Sequence, residues 1–385
     1  MADKTLIIGD LHLGRSISLG KPSVDGSLNS RLSDQIKLLN WCIDLAICKD
    51  VSRIIITGDI FHELKPDTNM VVIFMDWLKH CNDYGIDVHI IAGNHDLKRV
   101  GNRYSSILNV IEAAELDNVS IYNRVYTLHT NGASFTLLPF RDRRSLNAES
   151  IDESIGKINT LLSFESASIS QTKVLIGHLA IERSFWTDEI DDITNEIMVP
   201  LSSFVGYDYV WMGHVHKPQV FSQTPYIAHI GSLDLSDFGE TEQEKIVILF
   251  EENKFEEIRL PTSPLKRIRL DIPKEEDPTL FIINEINKQS FKDAIVKLEI
   301  KLIDSNASEI DRDKILNRLY ELGTYYVSGF SESRSSKIIS DEKNEEWQAI
   351  GPKAAVKLWA EKQDLPEDEK DEFVSACLEI INEHG

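Results

Sequence analysis

Cysteine is scarce in this chain, basic charge is in deficit, and no apolar run is long enough to span a bilayer. Of 385 residues four are cysteine (Cys42, Cys48, Cys81 and Cys377), and no C-x-x-C spacing occurs among them. With no such spacing, and with three of them within helical patterns, the four are expected to be reduced, buried thiols with no metal or disulfide role. A membrane helix needs roughly 18 consecutive apolar residues, and no such run exists. The N-terminus, Met1-Ala2-Asp3-Lys4, has no basic stretch before an apolar segment and no small-residue cleavage site. No signal peptide is therefore expected, and the chain is expected to be cytoplasmic. Against 63 acidic side chains stand 41 basic ones, a net charge of −22. That balance is the reverse of the usual nucleic-acid footprint. Such a chain attracts a polyanion only through bound metal, a local basic patch or a partner subunit.

Six short apolar runs each end in a small polar constellation. Leu6–Ile8 precedes Gly9-Asp10-Leu11-His12, and Ile54–Thr57 precedes Gly58-Asp59. Val88–Ile91 leads to Gly93-Asn94-His95-Asp96, and Val174–Ile176 leads to Gly177-His178. Tyr209–Met212 precedes Gly213-His214-Val215-His216, and Tyr226–Ile230 precedes Gly231-Ser232. Runs of this length rich in β-branched residues and bounded by glycine predict buried strands. Polar groups just past the carboxyl ends of strands are where α/β sheets build ligand sites.

Helical patterns lie between the runs. Leu32, Ile36, Leu39 and Ile43 share one face of a first helix. From Met70 to Leu78 the pattern is apolar on two sides, which predicts a helix sandwiched between layers or touching a second copy. Ile107, Leu108 and Ile111 predict a further helix beginning near Tyr104. Past about Pro261 the polar constellations stop, and a β-α-β-α-β order follows to about residue 330, predicting a small α+β domain. Residues 331–351 are polar and charged, as expected of a linker, and 352–385 predict a pair of amphipathic helices that dock on a partner or, alternatively, pack back onto their own chain.

The chemistry is carried by the ordered set Asp10/His12, Asp59, Asn94/His95/Asp96, His178 and His214/His216. Two divalent cations a few ångströms apart need many nitrogen and oxygen donors and one carboxylate that bridges them. Asp10, His12, Asp59, Asn94, His178, His214 and His216 supply such donors without any thiolate, which suits Mn²⁺ or Fe²⁺ over structural Zn²⁺. Asp59 stands alone after its strand and is the natural bridge. His95, protonated, is placed to stabilise a phosphoryl transition state or protonate a leaving oxygen, with Asp96 to hold it charged.

In this order the motifs resemble those of the calcineurin-like metallophosphoesterases, an α/β fold built as a β-sandwich flanked by helices. Three details resemble the SbcD or Mre-eleven branch: Gly58-Asp59-Ile60-Phe61-His62, Gly213-His214-Val215-His216-Lys217-Pro218-Gln219, and Gly231-Ser232 followed by Phe238-Gly239-Glu240 and Lys245. The resemblance covers residues 1 to about 255 by motif, and the remainder by order and size. It implies one metal on Asp10, His12, Asp59 and His216, and a second on Asp59, Asn94, His178 and His214. It implies His95 as the catalytic histidine and His62 as a residue guiding the DNA end. It further implies a Mn²⁺-dependent DNA nuclease, a 3′–5′ exonuclease and single-strand endonuclease acting on duplex ends, single strands and hairpins. The partner implied is an SMC-like ABC ATPase of the SbcC type, with the chain as a homodimer in a heterotetramer. The domains implied are a nuclease domain at 1–260, a DNA-capping domain at 261–330 and an ATPase-binding helical motif at 352–385. Arg141, Arg143 and Arg144, just after Pro139-Phe140, are candidates for phosphate contacts or, equally, for ion pairs with the many nearby acids. A phosphatase or nucleotide phosphodiesterase on the same fold, and a non-catalytic scaffold, are the alternative readings.

Overall fold

The structure is a computed structural model. It describes residues 3–22, 28–100, 103–185, 197–241, 243–273, 276–303 and 309–334, with positions 370, 374 and 377. The chain divides into two compact units. The first comprises Met1–Arg269, Ile282–Glu299 and Asp311–Ser331, and the second Leu270–Phe281, Ile300–Ile310 and Glu332–Gly385.

Two six-stranded mixed sheets dominate the first unit. One holds β1 (Thr5–Ile8), β2 (Arg53–Ile56), β3 (Asp87–Ile91), β6 (Val119–Tyr122), β15 (Ile246–Glu251) and β16 (Lys254–Arg259), in the order β16-β15-β1-β2-β3-β6. From β1 to β6 its pairings are parallel, whereas β15 joins β1 and β16 antiparallel. The other holds β7 (Tyr126–His129), β8 (Ala133–Leu138), β9 (Thr172–His178), β12 (Tyr209–Gly213), β13 (Gln219–Gln223) and β14 (Tyr226–His229), in the order β13-β14-β12-β9-β8-β7. Its four central strands are parallel and its edges antiparallel. Between β9 and β12, the two-residue strands β10 (Ala180–Ile181) and β11 (Met198–Val199) pair in parallel as a separate ribbon. All six runs expected as strands are strands, within a residue or two of their expected ends.

Period-two alternation of buried side chains explains the layering. Ile7, Ile55, Ile91, Ile248 and Phe250 of the first sheet pack against Phe135, Leu137, Val174, Ile176 and Trp211 of the second, forming the inner core. Their neighbours Leu6, Ile8, Ile54, Ile56, Val88 and Ile90 point the other way, onto α1 (Ser30–Cys48) and α2 (Thr68–Asp83). On the outer face of the second sheet, Leu175, Val210 and Met212 meet Ile158 and Leu162 of α4 (Ile151–Ala167). The order is helix, sheet, sheet, helix, with both faces of the parallel strands covered.

Several expectations change. The α2 helix buries Phe74, Trp77, Leu78 and Cys81, with Met70, Val71 and Met75 partly buried against the same core, so residues of both expected stripes turn towards one core. Trp77 belongs to the buried face because its indole Nε1 donates to the Leu39 carbonyl of α1 at 2.9 Å. The helix expected near Tyr104 is a hairpin, β4 (Leu97–Val100) with β5 (Arg103–Ser106), followed by a short α3 (Leu108–Glu112). The Ser106 hydroxyl accepts from Leu108 N at 3.1 Å, which starts the helix later than the apolar spacing suggests. Of the cysteines, Cys42 and Cys81 are buried, but Cys48 at the end of α1 is exposed and Cys377 is half-buried.

After the sandwich come β17 (Leu265–Ile272), α5 (Pro278–Ile286), β18 (Ile295–Leu302), α6 (Arg312–Glu321) and β19 (Tyr326–Arg334), the strand-helix alternation expected there. The strands form a three-stranded sheet, β17-β18-β19. β19 runs to Arg334, so the first residues expected in a linker are strand; backbone pairing with β18 is indifferent to their polarity. Most of the expected linker and both C-terminal helices lie outside the described residues, apart from Lys370, Val374 and Cys377, which are helical.

Candidate metal centre

Every donor expected from the motifs stands at or just past a strand end, and the parallel strands bring those ends together. Asp10 and His12 follow β1, Asp59 follows β2 and Asn94 follows β3. His178 is the last residue of β9, and His214 and His216 follow β12. Three of these residues adopt left-handed backbone conformations, His12 (φ 43°), Asp59 (φ 48°) and His214 (φ 81°). Such angles cost energy in non-glycine residues and cluster at functional sites. Two glycines allow the close approach: a Cβ on Gly93 would overlap the Asp59 carboxylate, and one on Gly213 would overlap that of Asp10.

Asp59 lies at the middle of the cluster. Its Oδ2 is 3.2 Å from His12 Nε2 on one side and 3.3 Å from His178 Nε2 on the other. The Asn94 Oδ1 atom lies 2.9 Å from His178 Nε2 and also 2.9 Å from His214 Nδ1. His216 Nε2 is 2.9 Å from His12 Nε2. Donor atoms of Asp10, His12 and His216 form one compact group, and those of Asp59, His178 and His214 another. A third group, His12, His62 and His95, borders the first.

Such an arrangement is poorly satisfied by protein alone. Two imidazole nitrogens at 2.9 Å can share only one hydrogen, and the buried His12 Nδ1 has no hydrogen-bond partner among the described residues. Burial would lower the His178 pKa, yet Asp59 and Asp10 push it up to about 10, the response of a site with unbalanced negative charge. Burial likewise opposes ionisation of Asp59, but His178 and His12 hold its carboxyl well below the usual range. Buried carboxylates and converging nitrogens without thiolate fit a pair of divalent cations, with Asp59 placed between them.

Outer hydrogen bonds fix the donors. Asp10 Oδ1 accepts from the Thr57 hydroxyl at 2.8 Å, and its Oδ2 accepts from His214 N at 2.6 Å. Asp59 Oδ1 accepts from His95 N at 2.8 Å. The Thr57 carbonyl lies 2.8 Å from His178 Nδ1, which directs Nε2 towards Asp59 and Asn94. Thr57 therefore orients two donors at once. Thr57→Val keeps the shape and removes the hydroxyl; it is expected to weaken Mn²⁺ binding about 10–100-fold. Calorimetric titration checks this, and unchanged affinity would refute the role.

His95 presents Nδ1 to the His62 carbonyl at 2.8 Å and stacks on the His62 ring at a centroid distance of 5.5 Å. His62 is half-buried, and burial, with Arg15 and His95 nearby, pushes its pKa down to about 4. Asp96 does not take the place expected for it. Its oxygens accept from Ile60 N (3.0 Å) and Gly93 N (2.9 Å), so it braces the loops that carry Asp59 and Asn94. Burial, then Asp59, raises its pKa to about 7. His229 is buried against the Met212 and Gly213 carbonyls and belongs to no donor group among the described residues. Arg141 donates to the carbonyls of Phe140 (2.9 Å) and Asn123 (3.0 Å), so part of its guanidinium braces its own loop. The motifs gave no warning of Arg15, whose Nη1 lies 2.6 Å from His216 Nδ1; its only signal is its position three residues after His12.

A family model described as calcineurin-like phosphoesterase matches residues 4–218, more than half of the chain and every donor named above. The chain belongs to this family. As a calcineurin-like phosphoesterase it is a metal-dependent enzyme, and its His/Asp groups have donor atoms close enough to hold a metal ion. Among curated relatives, the SbcD component of the nuclease SbcCD from Staphylococcus epidermidis is 26% identical over 303 residues, 75% of this chain and 77% of that protein. Its namesake in Escherichia coli K12 is 22% identical over 276 residues, 66% of this chain and 67% of that one. A solved dimetal phosphatase from Danio rerio is 13% identical, with a TM-score of 0.38, over 67% of this chain and 98% of its own. No helix among the described residues is long and apolar enough to cross a membrane.

Proposed function

We propose that this chain is the nuclease subunit of an SbcC–SbcD-type complex, hydrolysing DNA phosphodiester bonds with two divalent cations, Mn²⁺ preferred. The observation that carries the chemistry is Asp59 Oδ2 placed between His12 and His178, each within 3.3 Å. One ion would rest on Asp10, His12, Asp59 and His216, the other on Asp59, Asn94, His178 and His214. When bound, the ions supply neutralising charge at the phosphoryl group and make water acidic enough to attack near neutral pH. The protein supplies the rest. His95, with Nδ1 held by the His62 carbonyl, presents Nε2 as the group that steadies or protonates the departing oxygen. His62, at the edge of the cluster, guides the DNA end.

The relatives named above support DNA as substrate and an SMC-like ATPase as partner. The same reading assigns residues 1–260 to catalysis, 261–330 to capping DNA, and 352–385 to the ATPase, with the nuclease as a homodimer. It also accommodates the acidic balance. Arg267, Arg269 and Lys297 gather around Glu299, with Asp237 also close to Arg267, so attraction for a polyanion is assigned to the bound ions and the partner.

Linear duplex DNA in Mn²⁺ tests the proposal. Wild type is expected to shorten it from the 3′ end, and His95→Gln to lose about 10²–10⁴-fold in rate while keeping its metal. Hydrolysis of a small phosphodiester with DNA left intact, even after an SbcC-type ATPase is added, would refute the DNA assignment.

A further inference from the structure

A cavity beside the metal centre belongs to none of the roles assigned above. It measures about 180 Å³ and is lined by Leu97, Asn109, Phe140, Arg141, Asp142 and Ser145, among others. Phe140 joins it to the catalytic cluster: its ring centroid is 5.9 Å from that of His214 and 6.3 Å from that of His178. Phe140 is itself fixed, its N donating to the Ala92 carbonyl at 2.8 Å just before Gly93-Asn94. Leu97 follows Asp96 directly, so both ends of the cavity are tied to loops that carry metal donors. The Asp142 carboxylate accepts from Ser145 N at 2.7 Å, and the Ser145 hydroxyl donates to the Asp142 carbonyl at 2.8 Å, closing the turn that forms one wall.

We infer that this cavity is a nucleobase subsite, receiving the base of the nucleotide whose phosphate lies at the metal pair. Three properties select that ligand. The volume is below the roughly 300–1,000 Å³ of pockets for whole drug-sized molecules, so it takes a ring system and not a complete nucleotide. An aromatic ring and a planar guanidinium, Phe140 and Arg141, are surfaces on which bases stack. The amide of Asn109, exposed at the cavity wall, carries a donor and an acceptor for a base edge. A base reaches the cavity only when unstacked from its duplex neighbours. The subsite therefore favours single strands and frayed ends, where unstacking costs least.

The inference rests on the nucleic-acid reading, so its test is chosen to be independent of DNA cleavage. Calorimetry on the Mn²⁺-loaded protein compares dAMP, deoxyribose 5-phosphate and phenyl phosphate. All three offer a phosphate, and only the first carries a base. The expected result is dAMP binding at least about tenfold more tightly than deoxyribose 5-phosphate. That advantage is expected to vanish in Asn109→Trp, which fills the cavity from an exposed position on α3, and in Ser145→Leu, while deoxyribose 5-phosphate binds both variants as before. Equal affinity for dAMP and deoxyribose 5-phosphate would overturn the inference. So would phenyl phosphate binding as tightly as dAMP, which would make the cavity a pocket for a phosphorylated aromatic side chain. If dAMP has its advantage but DNA is left uncut, the nuclease proposal fails and the subsite stands. If DNA is cut without that advantage, the reverse holds.

Discussion

Asp59→Asn is expected to abolish phosphodiester hydrolysis, with a rate loss of at least about 10⁴-fold, the upper end of what one catalytic group contributes. The loss should exceed that of any other single donor, because Asp59 faces both donor groups. An amide keeps the size of the side chain but removes the charge and replaces one acceptor oxygen with a donor NH₂. Asp59 Oδ2 faces His12 and His178, and Oδ1 accepts from His95 N, so the amide must misplace a donor towards one or the other. Metal analysis separates this from unfolding. Wild type is expected to hold two ions per chain, the Asp59→Asn variant at most one, and His95→Gln two. An Asp59→Asn protein retaining two ions and wild-type rates would remove Asp59 from the bridging position and the two-metal assignment with it.

What was legible before the structure was local. Each donor sits within a few residues of a strand of β-branched residues, and a glycine at Gly93 or Gly213 marks the tight approach, so motif and strand are read together. The layer order also follows from alternation, since Leu6, Ile7 and Ile8 are all buried and must face two cores. Less legible was what depends on partners distant in sequence. Asp96 sits beside His95 in the motif, yet its carboxylate reaches Ile60 N, 36 residues earlier. The apolar stripes of α2 read as two buried faces, because periodicity counts apolar positions and does not show which side has a layer against it. Arg15 follows the first motif closely but gives no sign that it meets His216, 201 residues away.

Charge shows the same limit. The net value of −22 argues against a polyanion substrate, whereas the chemistry argues for one. The conflict is eased by position. Charge that matters for binding is charge near the scissile phosphate, and there two divalent cations would outweigh the carboxylates that hold them. Acidic groups more than a Debye length away, about 8 Å in physiological salt, are largely screened.

Lys245→Met is expected to cost about 3–5 kcal/mol of stability, the usual cost of removing one partner from a buried ion pair. Lys245 and Glu240 are both fully buried, and Lys245 Nζ lies 3.1 Å from Glu240 Oε2. The ammonium also donates to the His216 carbonyl (2.8 Å), the Ser232 hydroxyl (2.9 Å) and Gln243 Oε1 (3.0 Å). Methionine fills the space but leaves the Glu240 carboxylate buried with its bonds from Ser236 N and Oγ and, 4.0 Å away, the His216 Nδ1 atom. The double variant Glu240→Gln with Lys245→Met removes both charges and is expected to recover much of the loss, since a neutral pair carries no desolvation penalty for an isolated ion. Stability is read from denaturant midpoints and metal affinity from Mn²⁺ titration of the same proteins. The two readouts should part company: the double variant regains stability but not affinity, because the His216 carbonyl still lacks its donor and the ring is no longer held towards His12. A loss below about 1 kcal/mol for Lys245→Met would mean that the ammonium reaches water and that its bond to His216 is incidental.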